Sequence, residues 1–166
     1  MKTFFLSALL TCFFPGIINA QIEQGTIFLG ANAGLNYSSQ DFDVIDDNLN
    51  VLEIDLNVGS FIADNFLLGV SFGYFASGFG ELDGSSVTLG AFGRYYFNTP
   101  VFFGLGYESV NPDGGDALGR IPFRIGYAAF LTETVALEPS VVYAFGVGDN
   151  ESNILEINIG FGIYFR

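Results

Sequence analysis

From Thr26 to Arg166 the chain alternates apolar residues with polar or small ones at a period of two. The last stretch is the clearest. Leu155, Ile157, Ile159, Phe161, Ile163 and Phe165 occupy every second position, with Glu156, Asn158, Gly160, Gly162 and Tyr164 between them. Successive side chains of a β-strand point to opposite faces, so this is a strand with one greasy and one polar or small face. Seven earlier stretches repeat the pattern: Thr26–Tyr37, Val51–Ile62, Phe66–Ala76, Val87–Phe97, Val101–Ser109, Arg120–Leu131 and Val135–Phe145. About ten residues of such alternation, tilted, cross a bilayer.

The connections alternate in length. Ala63-Asp64-Asn65, Asn98-Thr99-Pro100 and Thr132-Glu133-Thr134 read as short turns, whereas Ser38–Asn50, Ser77–Ser86, Val110–Gly119 and Gly146–Ser152 read as longer loops. Short turns at one end and long loops at the other mark an outer-membrane barrel with its short turns in the periplasm. An open sheet edge cannot be satisfied in lipid, so the even number of strands must close. The expected fold is all-β: an eight-stranded antiparallel up-and-down transmembrane β-barrel. A soluble eight-stranded ligand-binding barrel would bury the apolar face and carry Lys and Glu outside. Here the apolar faces are continuous and aromatic, and the strands hold no Lys.

Composition adds the targeting segment. Half of the 166 residues are hydrophobic, yet outside the N-terminus no run of 18 or more apolar residues reads as a spanning helix. Lys2, the apolar run Phe4–Ile18 and Ile18-Asn19-Ala20 before Gln21 read as a secretory signal peptide over residues 1–20, leaving 21–166 as the barrel domain. The single Cys, Cys12, lies inside that leader, too early for a lipoprotein signal. The net charge is −13, and loss of Lys2 makes it one unit more negative. That balance opposes nucleic acid as a partner.

The family resemblance rests on this pattern and on two hairpin phrases, Phe61-Ile62-Ala63-Asp64-Asn65-Phe66-Leu67-Leu68-Gly69 and Phe130-Leu131-Thr132-Glu133-Thr134-Val135-Ala136-Leu137-Glu138-Pro139. The chain from Gln21 to Arg166 resembles the small eight-stranded outer-membrane β-barrel family, of the OmpA-barrel and OmpX type. The resemblance implies the outer membrane as location, lipid and the barrel-assembly machinery as partners, and a C-terminal aromatic as assembly signal. Phe165 takes that role here, although Arg166 follows it. A monomer is expected.

The interior of an eight-stranded barrel is about wide enough for side chains to fill. Arg94, Arg120 and Arg124 fall on inward positions, as do Glu53, Asp55, Glu108, Glu138 and Glu156. They are expected to form a polar lumen network, with Glu108 opposite Arg120. Its simplest role is to satisfy a polar core; an ion path is the functional alternative. The first inward residues above the short turns are Phe28, Phe61, Leu67, Tyr96, Phe102, Phe130 and Tyr164. They predict an apolar floor that excludes a wide pore. Tyr37, Tyr74, Tyr107, Tyr127 and Tyr143 fall on the outer wall.

The loops are acidic. Asp41, Asp43, Asp46 and Asp47 supply hard oxygen ligands for Ca²⁺, but their spacing fits no EF-hand, and a solvated acidic loop is the simpler reading. An extracellular ligand bound through the acidic loops is a further expectation. No cofactor is implied. The chain has no His, and beyond the leader no Cys or Lys, so Ser–His, Cys–His and Ser–Lys chemistries cannot be assembled. A carboxylate pair such as Glu53 with Asp55 is the remaining catalytic option. The sequence therefore reads as a non-enzymatic membrane protein with a structural or surface-interaction, adhesin-like role. A small-solute or ion channel is the alternative.

Overall fold

The computed structural model describes residues 22–35, 50–79, 82–97, 100–148 and 153–166. The leader, Tyr37 and the cluster Asp41, Asp43, Asp46 and Asp47 lie outside these residues. The described chain forms β1 (Ile27–Leu35), β2 (Asn50–Ala63), β3 (Phe66–Phe79), β4 (Leu82–Tyr96), β5 (Val101–Pro112), β6 (Leu118–Tyr127), β7 (Ala129–Phe130), β8 (Val135–Val147) and β9 (Ile154–Phe165). Each strand pairs antiparallel with its neighbour, and β6 and β7 follow one another along the same partner, β8. They are two segments of one stave. The wall closes where β1 meets β9, from Ile27 opposite Phe165 to Leu35 opposite Ile157. The result is a closed eight-stave antiparallel barrel with no free edge.

Side-chain alternation decides which face meets which solvent. Along β9, Asn158, Gly160, Gly162 and Tyr164 are buried, while Leu155 is 68% exposed and Ile157 63%. Val70, Leu89, Ile125 and Phe161 are also more than half exposed, on staves all around the barrel. Water would not tolerate an apolar surface of this extent. The wall is built for hydrocarbon, and the closed ladder leaves none of its backbone pairing open to it. Strands of 12 to 15 residues in β2–β5, β8 and β9 exceed the roughly 9–11 needed to cross. Tyr74, Tyr107 and Tyr143 lie exposed on this wall, and Tyr127 is half-buried.

The short-turn end is tightly bonded. The β2–β3 turn places Asn65 at φ 65°, a left-handed conformation that Asn tolerates better than most residues. Thr132 Oγ1 accepts from the N–H groups of Thr134, at 3.2 Å, and Val135, at 3.0 Å. Residues before β1 fold beneath the barrel. Gln24 N–H donates to Asp64 Oδ1 and its side-chain amide to the Ile62 carbonyl, both at 3.0 Å.

One sequence expectation needs correction. Ser77–Ser86 is not a long loop, because β3 runs to Phe79 and β4 resumes at Leu82, with the two paired. Gly78, Gly80 and Gly84 read as loop residues in the sequence, yet Gly78 and Gly84 sit in strands. The stave expected over Arg120–Leu131 comprises β6 and β7, parted only at Ala128. Ala128, Ala129 and Phe130 are all buried, and the Ala128 N–H donates to the Pro100 carbonyl at 2.7 Å, one rung beyond Val101 opposite Tyr127. The inward alternation nevertheless runs unbroken from Arg120 to Phe130, and the pairing with β8 keeps one register on both sides of Ala128.

Candidate functional site

The lumen is layered. At the short-turn end Phe28, Phe61, Leu67, Tyr96, Phe102, Phe130 and Tyr164 pack into one buried cluster with Ala128 and Ala136. Ring centroids lie 5.0 Å apart for Phe130–Tyr164, 5.1 Å for Phe28–Tyr164 and 5.4 Å for Tyr96–Phe102. These are tilted contacts, the favourable geometry for aromatic pairs. Ile22 packs against the cluster from the N-terminal segment.

The next inward position along each stave explains much of the glycine content. On six staves it is Gly30, Gly59, Gly69, Gly104, Gly126 or Gly162; on the other two it is Arg94 and Glu138. The glycines leave space that the rings and the long arginine occupy. A Cβ at Gly30 would meet the Phe28 ring at 2.6 Å, and one at Gly162 would meet Glu138 Oε1 at 2.5 Å and the Phe28 ring at 2.9 Å.

Into this space β4 projects Arg94 and β8 projects Glu138. Arg94 Nη1 donates to Glu138 Oε2 at 2.9 Å, with both side chains 3% exposed. Glu138 Oε1 accepts from the Tyr164 hydroxyl, and that hydroxyl lies 2.9 Å from the hydroxyl of Tyr96. The guanidinium carbon stands 4.8 Å from the ring centres of Phe28 and Phe102 and 5.1 Å from that of Phe92. Both charges are thus paired, hydrogen-bonded and partly enclosed by aromatic faces, as burial of an ion pair demands.

Above this layer the lumen opens into a cavity of about 430 Å³. Glu53 and Asp55 line it from β2, Glu108 from β5, Arg120 and Arg124 from β6, and Glu156 from β9. Arg124 Nη1 donates to Ser140 Oγ at 3.4 Å, and Asn158 donates to Glu156 at 3.5 Å. Glu108 and Arg120 do face each other in register, but among the described residues no ion pair joins them. The buried pair is instead Arg94 with Glu138, which are distant in sequence and on non-adjacent staves. The sequence carried a signal for it: with the staves aligned from their short turns, these two stand alone in a ring of glycines. The buried amides Asn32 and Asn57 and the Phe92 ring beside Arg94 were not singled out in the sequence. Glu23, which pairs with Arg166 at 2.6 Å on the exposed underside, also lies in a segment with no period to read. Phe165 is opposite Ile27 at the closing seam and faces outward.

Similar architecture recurs among solved structures. Ail, an outer membrane protein of Yersinia pestis, superposes with a TM-score of 0.62 at 10% identity, over 86% of this chain and 100% of that one. Neisserial surface protein A matches with a TM-score of 0.53 at 15% identity, over 86% and 100%. The N-terminal β-barrel domain of Pseudomonas aeruginosa OprF matches with 0.50 at 18%, over 86% and 98%. The chain has the fold of the small outer-membrane β-barrels. No protein-family model and no curated protein matches the sequence. At these identities the likeness is one of fold.

Proposed function

We propose that this protein is an integral outer-membrane barrel with a structural and surface-interaction, adhesin-like role, rather than a wide pore or an enzyme. The apolar exposed wall requires a bilayer, and the fold is the one that small outer-membrane proteins use. One observation carries the functional reading: the short-turn end is filled from wall to wall by the aromatic cluster, with the Arg94–Glu138 pair directly above it. A lumen closed at that end directs the protein's chemistry to the opposite, long-connection end, where Asp113 and Asp116 are exposed.

Residues 1–20 act in this reading as the export signal and 21–166 as the barrel domain, with Phe165 presented to the assembly machinery. Membrane fractionation with planar-bilayer recording tests the proposal. The protein should be extracted from the outer membrane only by detergent, run differently on a gel when unboiled, begin at Gln21, and give no stable large conductance. Recovery in the soluble fraction would sink the membrane reading. Steady conductance would replace the surface role with that of a channel.

A further inference from the structure

The upper lumen is a cavity of about 430 Å³, within the roughly 300–1,000 Å³ typical of small-molecule sites. Apart from Glu108, which faces Arg120 in register, its acids and arginines stand on different sides. Arg120 and Arg124 stand on β6, while Glu53 and Asp55 stand on β2, four staves away in either direction around the barrel. The two groups therefore face one another across the full width of the lumen. Among the described residues Asp55 closes no ion pair with either arginine. Arg120 Nε is buried and has no hydrogen-bond partner there, and an orphaned buried donor calls for an explanation. Glu108 and Glu156 add further negative charge to the cavity wall. Below, the Arg94–Glu138 pair and the aromatic cluster stop any path onward. Above, the cavity reaches Pro112, Leu118 and Ile154 at the strand ends beside the long connections, and Ser86 within β4.

We infer that the upper lumen is a blind cup that binds a small amino-acid-like solute from the long-connection side. The solute's carboxylate docks on Arg120 and Arg124, and its ammonium group on Asp55 and Glu156. A carboxylate in the cavity would meet two guanidinium groups through charge-assisted hydrogen bonds. A lone cation would leave the arginine side unused, and a lone anion would face the surplus of acids. Because four acids line the cavity against two arginines, a solute with a second ammonium group fits best, as in lysine.

Isothermal titration calorimetry of the refolded full-length barrel in detergent micelles tests this with L-lysine, L-glutamate and cadaverine, which is lysine without its carboxylate. L-lysine should bind with 1:1 stoichiometry. Arg120→Gln and Asp55→Asn should each weaken it about tenfold or more, the scale of one lost charge-assisted contact. Cadaverine and L-glutamate should bind more weakly than lysine. Unboiled-gel mobility checks that each variant is folded, and Glu156→Gln replaces Asp55→Asn if that barrel fails to form. No heat of binding for lysine at tens of millimolar would overturn the proposal. Equal binding of cadaverine, or indifference to Arg120→Gln in a folded barrel, would overturn it as well, because the carboxylate would then have no role.

Discussion

Arg94 and Glu138 are the side chains whose removal says most about how the lumen is held. Each is 3% exposed, and an unpaired charge at such depth is far more costly than the pair. Glu138→Gln keeps the shape but leaves Arg94 without its counter-charge, and it disturbs the acceptor of the Tyr164 hydroxyl. The expected loss is about 3–5 kcal/mol, read as a lower urea midpoint in the unboiled-gel assay. Three aromatic faces around the guanidinium offset part of that loss, at about 0.5–2 kcal/mol per contact. The double variant Arg94→Met/Glu138→Leu removes both charges and should regain most of the stability. A single variant that unfolds at the parent's midpoint would mean that water or a neighbouring carboxylate replaces Glu138. The pairing itself was hard to read from the sequence, because β4 and β8 share no ladder and hairpin symmetry relates only adjacent strands. Glu108 and Arg120 are adjacent, and their register was legible for that reason.

At the scale of the strand, period-two alternation assigned each inward and outward face, because lipid demands an apolar residue at every second position along every stave. The reading failed where composition imitated a turn. At Ser77–Ser86 the glycines and polar side chains imitate a loop, while ladder pairing continues to Phe79 opposite Leu82. Inward glycines in the lower barrel are there for space. Gly162→Ala would drive a methyl group into Glu138 and the Phe28 and Tyr164 rings, the last two at 2.9 Å, and should lower stability by about 1–3 kcal/mol as overpacking does. Gly84→Ala meets only the Ser77 hydroxyl at 3.7 Å, an ordinary contact, and should be neutral or slightly stabilising. Urea midpoints of the two folded variants compare them directly. Equal midpoints would mean that the rings shift freely, and that the glycine layer reflects something other than packing.

The whole molecule divides into a sealed lower end and a polar upper cup, and the seal is assembled from parts far apart in the sequence. Phe28, Phe61, Phe102 and Tyr164 arrive from β1, β2, β5 and β9, so only closure of the barrel at β1–β9 brings them together. Ile22 covers them from below, and the Glu23–Arg166 pair ties the segment before β1 to the end of β9. Both partners of that pair are more than half exposed, so it contributes about 0–1 kcal/mol and orients rather than anchors. The rings are the barrier, and removing them should open it. Phe61→Ala with Phe102→Ala clears two faces of the cluster while leaving the Tyr164–Glu138 hydrogen bond intact. Each truncation costs on the order of 3–5 kcal/mol in a close-packed core, so unboiled-gel mobility must first establish that the barrel persists; Leu67→Ala with Phe61→Ala is the milder pair. In a planar bilayer the parent should stay silent and the folded double variant should pass small-ion current. If the folded variant is as silent as the parent, the rings are not the gate, and the Arg94–Glu138 layer above them closes the lumen alone. Combining the ring truncations with Arg94→Met/Glu138→Leu would then open it.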